Sequence, residues 1–192
     1  MGRFSLKFGT VTLSALAIGA LWGAVWMIVV GVVLMLVSGI IATPPVGWAA
    51  MVGMLYGLGW VVCNPDQRTI AYAAILGGIL SFLFMIVTLG QPFGASPDTA
   101  WFAQFIAFFA WIGITAGSIA ACIDGYPSGS TSRYRLEVLL IRVAKGFAFV
   151  VFTVLVVLPF YVMVMTSLKS QQALLRNPLD FSVDFSQGMG LF

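Results

Sequence analysis

The sequence predicts an all-α, polytopic membrane protein of about five transmembrane helices, and three observations carry that prediction. Of the 192 residues, 61% are hydrophobic and only 8% charged, and the mean hydropathy of +1.07 lies far from the balance of a globular domain. No Asp, Glu, Lys or Arg occurs between Lys7 and Asp66, a run too long for one helix across about 30 Å of hydrocarbon and suited to two. Turn-forming residues then divide the remaining apolar sequence into three further runs of membrane-spanning length.

The amino-terminal stretch "MGRFSLKFGTVTLSALAIGALWGAVW" has a basic start and an apolar continuation. That run is too long for the h-region of a signal peptide and reads as a retained first helix. The Met-Gly start lacks the full context of a myristoylation site. The first span is expected over residues 11–41 and the second over 45–63, divided within "SGIIATPPVG", where Pro44 and Pro45 remove backbone donors and bias Thr43 away from helix. The first is long enough to require tilt or an interfacial end. "NPDQRT" is a turn before a third span at 70–89, and "GQPFGASPD" is a second turn before a fourth at 100–122. "DGYPSGSTSRYR" follows, and a fifth span covers 144–167, with an earlier start allowed by the apolar Leu136 to Val143 around Glu137 and Arg142.

Five spans place the chain's ends on opposite sides of the membrane. With the amino terminus in the cytoplasm, the inner segments hold Arg3, Lys7, Arg68, Arg133, Arg135, Arg142 and Lys145, and the outer ones only Lys169 and Arg176. That asymmetry fits the positive-inside rule. Reading residues 8–43 as a hairpin of two short spans would instead put Arg3 and Lys7 outside. The net charge of +3 is distributed in small groups outside the apolar runs, so topology accounts for it and no nucleic-acid footprint is present.

Within the spans, Gly19 and Gly23, Gly53 and Gly57, and Gly113 and Gly117 recur at helical spacing and are candidate helix-packing positions. Small residues matter there because lipid supplies no net hydrophobic drive between helices. Trp48, Trp60 and Trp101 fall near span ends and read as interface anchors. The four earlier spans carry no ionisable Asp, Glu, Lys or Arg of the kind that marks an ion or proton path. Histidine is absent, Asp66, Asp98 and Asp124 sit in separate connections, and Cys63 and Cys122 have no ligand-like neighbour. No catalytic residue, metal site or cofactor is therefore expected, and the chain does not read as an enzyme. An aqueous site is one reading of Gln91, Asp98 and Gln104, and ordinary loop polarity is the simpler one.

The carboxyl-terminal stretch "VLPFYVMVMTSLKSQQALLRNPLDF" departs from the rest in its polarity. Pro159 lies inside an apolar helix that it is expected to kink. With a basic lead before it, and with Leu158, Pro159, Thr166, Ser167, Leu168, Lys169, Asn177 and Pro178 as its markers, the region from about 140 to 192 resembles the first span and following outer segment of binding-protein-dependent sugar ABC transporter permeases, the maltose-type second subunit in particular. The resemblance implies a bacterial inner-membrane location, uptake of an alpha-glucoside or related disaccharide, and three partners: a second permease subunit, cytoplasmic ATPase subunits and an outer sugar-binding protein. It also makes Lys169, Arg176, Asp180 and Asp184 candidate partner-interface residues. The family's Glu-Ala-Ala coupling motif is not in this sequence, so the chain is expected to be the front part of a longer permease. Its organisation would then be an amino-terminal four-helix membrane module (1–122), a cytoplasmic joint (123–139) and the start of the permease-like domain (140–192). The alternative is a non-catalytic membrane scaffold or accessory subunit that packs against partner helices.

Overall fold

The computed structural model describes residues 9–38, 42–63, 65–95 and 101–168. These residues form five α-helices and no strand: α1 Thr10–Ser38, α2 Val46–Val62, α3 Ile70–Val87, α4 Trp101–Ile123 and α5 Arg133–Leu168, with one 3-10 turn at Pro65–Gln67. By length and composition α1, α3, α4 and α5 are apolar enough to cross a membrane. The remaining helix, α2, has 17 residues, about 25 Å of rise, at the short end of what a bilayer core requires. The chain is an all-α polytopic membrane protein.

Local chemistry sets the boundaries. Pro44 and Pro45 precede α2, and the Pro45 carbonyl accepts from Ala49 N at 3.0 Å to open the helix. Thr69 caps α3, its hydroxyl accepting from Tyr72 N at 3.2 Å. The same helix closes in a reversed turn in which Gly90 N donates to Met85 O and Leu89 N to Ile86 O. That turn holds Leu89 at φ 53°, in the left-handed region, where a side chain costs roughly 1–2 kcal/mol. Ser132 caps α5, its hydroxyl accepting from Arg135 N. The fifth helix thus starts at Arg133, well before its apolar run, as the snorkelling of Arg142 and the apolar Leu136 to Val143 allow.

One end of the bundle gathers the start of α1, the α2–α3 connection and the α4–α5 loop. Val11 N donates to Gly129 O at 3.0 Å there, and Arg68 reaches from the α2–α3 connection to the carbonyls at the end of α4. At the opposite end Thr43 N donates to Phe93 O at 2.9 Å, joining the α1–α2 and α3–α4 connections. The described arginines, Arg68, Arg133, Arg135 and Arg142, belong to the first end, termed here the basic end.

Two apolar clusters fill the bundle. Toward the basic end Val11, Ile18, Trp22, Trp60, Ile119, Tyr126, Leu139 and Val143 pack together. Toward the other end Met27, Leu34, Phe84, Phe108 and Trp111 enclose Phe93, a loop residue with no exposed surface. Tyr126, Leu139, Val143 and Val150 follow residue 122, so the core continues past it into the first half of α5. Beyond Val150 most of that helix is exposed, held to the bundle by Val154 against the core and by the Tyr161 hydroxyl, which donates to Leu36 O of α1 at 3.0 Å.

Candidate functional site

Helices α1 and α2 approach closely and run antiparallel, with Ala15 opposite Gly57, Gly19 opposite Gly53 and Gly23 opposite Ala49. A Cβ added at Gly19 would fall on the Gly53 carbonyl oxygen, and one at Gly53 on that of Gly19. Additions at Gly57 and Gly23 would meet the carbonyls of Ala15 and Ala49. Each obstacle is backbone, which no rotamer change can move aside. Backbone therefore packs directly on backbone, carbonyl oxygens facing Cα hydrogens in the manner of Cα–H···O contacts. From the far side of this seam, the indole of Trp111 donates to Gly23 O at 3.1 Å and fixes α4 against α1. Trp26 donates to Ser118 Oγ at 2.8 Å and adds a second tie between the same helices.

At the basic end, arginines occupy the carboxyl terminus of α4. Arg68 donates to Cys63 O at 3.2 Å, Ile123 O at 3.2 Å and Tyr126 O at 2.6 Å, with its guanidinium 5.9 Å from the centre of the Trp60 ring. Arg142 faces the carbonyls of Ala121, Cys122 and Asp124 at 3.3–3.5 Å and lies 5.9 Å from the Tyr126 ring. Cations suit a helix carboxyl terminus, whose orphan carbonyls carry partial negative charge. Burial lowers the Arg68 pKa from its ordinary value, and the guanidinium remains charged at neutral pH. The 124–132 loop closes the other half of this end, since Thr12 and Thr10 hydroxyls accept from Gly129 N and Thr131 N at the start of α1.

A small cavity lies between the middles of α2, α3 and α4, lined among others by Gly53, Tyr56, Gly77, Ser81, Trp111 and Thr115. Tyr56 stacks on Trp60, with ring centres 6.2 Å apart, and Ser81 donates to Gly77 O at 2.5 Å.

The structure thus brings Gly19, Gly23, Gly53 and Gly57 into one seam, while Gly113 and Gly117 have open space where a side chain would stand. Pro159 lies on the exposed outer half of α5, which continues through it to Leu168. Lys169, Arg176, Asp180 and Asp184 lie outside the described residues, as does Asp98. Trp48 and Trp101 are exposed as interface anchors would be, whereas Trp60 is buried at 7% beneath Arg68. Gln104 is no loop residue but lies buried inside α4, whereas Gln91 is exposed in the connection before that helix. Among the described residues, no group of three His, Cys, Asp or Glu is placed to hold a metal. The arginine caps had no sequence signal beyond charge at span ends, and the buried hydroxyls of Tyr56 and Thr115 none at all. Compared with known proteins, the chain matches no family model, no curated protein sequence and no solved structure.

Proposed function

We propose that the chain is a membrane component of a sugar-uptake ABC permease, in which α1–α4 form a packed anchoring module and α5 is the first helix of the translocating part. The observation that supports this reading is the contrast within α5. Its first half contributes Leu139, Val143 and Val150 to the common core, while Phe152, Leu155, Val156, Val157 and Phe160 beyond are all exposed. A helix half this apolar and exposed offers a surface to further helices as well as to lipid, while Tyr161, donating to Leu36 O at 3.0 Å, keeps it beside the end of α1. The substrate class is an alpha-glucoside or related disaccharide, taken from the resemblance of residues 140–192. The chain contributes no catalysis of its own, ATP hydrolysis belonging to a separate cytoplasmic subunit. The partners are a second permease subunit, that ATPase and an outer sugar-binding protein, in a bacterial inner membrane.

The test is uptake of labelled maltose, trehalose and sucrose by cells with and without the gene. Loss of uptake of one sugar, restored by the full reading frame, is the expected result. Unchanged uptake of all three, with the chain purifying alongside other membrane proteins, would favour a scaffold or accessory subunit. The absence of Asp, Glu, Lys and Arg from α1–α4 suits that second reading.

A further inference from the structure

Arg135, Arg142 and Lys145 follow one another on α5 at spacings of seven and three residues, and all are exposed. At 3.6 residues per turn those spacings put them on one stripe along the helix. None of the carboxylates among the described residues shares it: Asp66 and Asp124 belong to connections, and Glu137, two residues from Arg135, is on another side of α5. Arg142 donates to three main-chain carbonyls, which bring no net charge to offset its own, and all three bonds leave from Nη1. A guanidinium has five N–H donors, so Arg142 keeps others for an acceptor outside the protein. Lys145 lies almost one turn further from the basic end, about 4.5 Å along the helix axis. Its neighbour Gly146 sits so near α1 that an added Cβ would be 3.0 Å from the Trp22 ring, and Lys145 itself stands exposed beside that contact. An ammonium at this depth is costly in hydrocarbon, and its four-carbon stem lets it reach back to the level where Arg142 stands. Beyond Lys145 the same flank turns apolar, with Phe149 and Phe152 70% and 66% exposed.

We propose that this flank of α5 binds one anionic phospholipid, its phosphate held between Arg142 and Lys145 and an acyl chain laid along Phe149 and Phe152. The charge selects the occupant. A stripe of three cations without a carboxylate attracts a headgroup of net negative charge more than a zwitterionic one, whose own cation is repelled. Arginine meets a phosphate through paired N–H groups and lysine as a point charge. Arg135, about 10 Å further out along the helix, adds to the field without touching the same phosphate. The apolar continuation selects a lipid over a soluble phosphate, since only a lipid brings a chain to lie beside the two phenylalanines.

Native mass spectrometry of the purified full chain in detergent, titrated with phosphatidylglycerol or with phosphatidylcholine of the same acyl chains, tests the site. The first phosphatidylglycerol should bind several-fold tighter than the first phosphatidylcholine. That preference should fall several-fold in Lys145→Gln and persist in Lys145→Arg. Arg142→Gln, which also loses contacts to the end of α4, should lower it as well. Arg133→Gln removes an exposed charge from outside the stripe and should leave the preference as it is. Equal affinity for the two lipids would overturn the proposal. So would an equal loss in Arg133→Gln, because net charge rather than the stripe would then set the preference. Displacement of the bound lipid by glycerol phosphate at matched concentration would also overturn it, by making the site one for a soluble anion.

Discussion

At Gly53 the side chain is a hydrogen because the Gly19 carbonyl occupies the place of a Cβ, and the relation is reciprocal at Gly19. Substituting Ala at either position forces the two backbones apart, and overpacking of this kind costs about 1–3 kcal/mol. The higher helix propensity of Ala returns up to about 1 kcal/mol and does not change the sign. Gly113→Ala and Gly117→Ala meet nothing within 4 Å, so there the propensity gain stands alone. Thermal unfolding in detergent should therefore place Gly19→Ala and Gly53→Ala below the parent and Gly113→Ala and Gly117→Ala at or above it. If all four shifted alike, the seam would not be where the backbones meet. Spacing alone made all six glycines equivalent in the sequence. Which of them pack is decided by the partner helix, and the partner is a tertiary fact that no single span records.

Among the elements, α5 is divided. Leu139 has no exposed surface and packs with Tyr126, Trp22 and Val11, while Leu155, on the outer half of the same helix, is 68% exposed. Leu139→Ala should lower stability by about 2–5 kcal/mol, as buried Leu truncations do. Leu155→Ala should leave the isolated chain nearly unchanged, because the lost methyls face lipid in both folded and unfolded states. Equal losses at the two positions would show that the outer half is packed after all. The helix boundaries were largely legible in sequence because their causes are local: the two prolines before Val46, the Thr69 cap and the turn after Val87. The start of α5 was less so: the apolar run places the span at 144–167 with an earlier start allowed by Leu136 to Val143, and the helix begins at Arg133. Arg142 is accommodated there by carbonyls of α4 that the sequence does not place beside it. Likewise Arg68 read as a topology signal and proved to be a cap linking two connections, and the hydroxyls of Tyr56 and Thr115 carried no pattern to find.

For the whole molecule, the alternation of helices follows from contacts rather than from hydropathy. The α1–α2 seam is antiparallel, Arg68 places the ends of α2 and α4 together, and the Thr43–Phe93 hydrogen bond places the α1–α2 and α3–α4 connections at the opposite end. The described arginines are all at the first of these ends. Short connections rich in Lys and Arg stay in the cytoplasm, so the orientation proposed is basic end inward. Ser130, in the 124–132 loop, and Gln91, in the α3–α4 connection, are both exposed and lie at opposite ends. Native Cys63 and Cys122 are buried and free, and replacing both by Ala removes their background. On that chain, a membrane-impermeant maleimide should label Ser130→Cys in inverted vesicles only and Gln91→Cys in right-side-out vesicles only. The opposite pattern would keep the fold and reverse the orientation, which the Lys and Arg count would then fail to explain. Labelling of both from one side would contradict the alternation itself, because the backbone hydrogen bonds at Gly129 and Phe93 hold these two segments at opposite ends of the same helices.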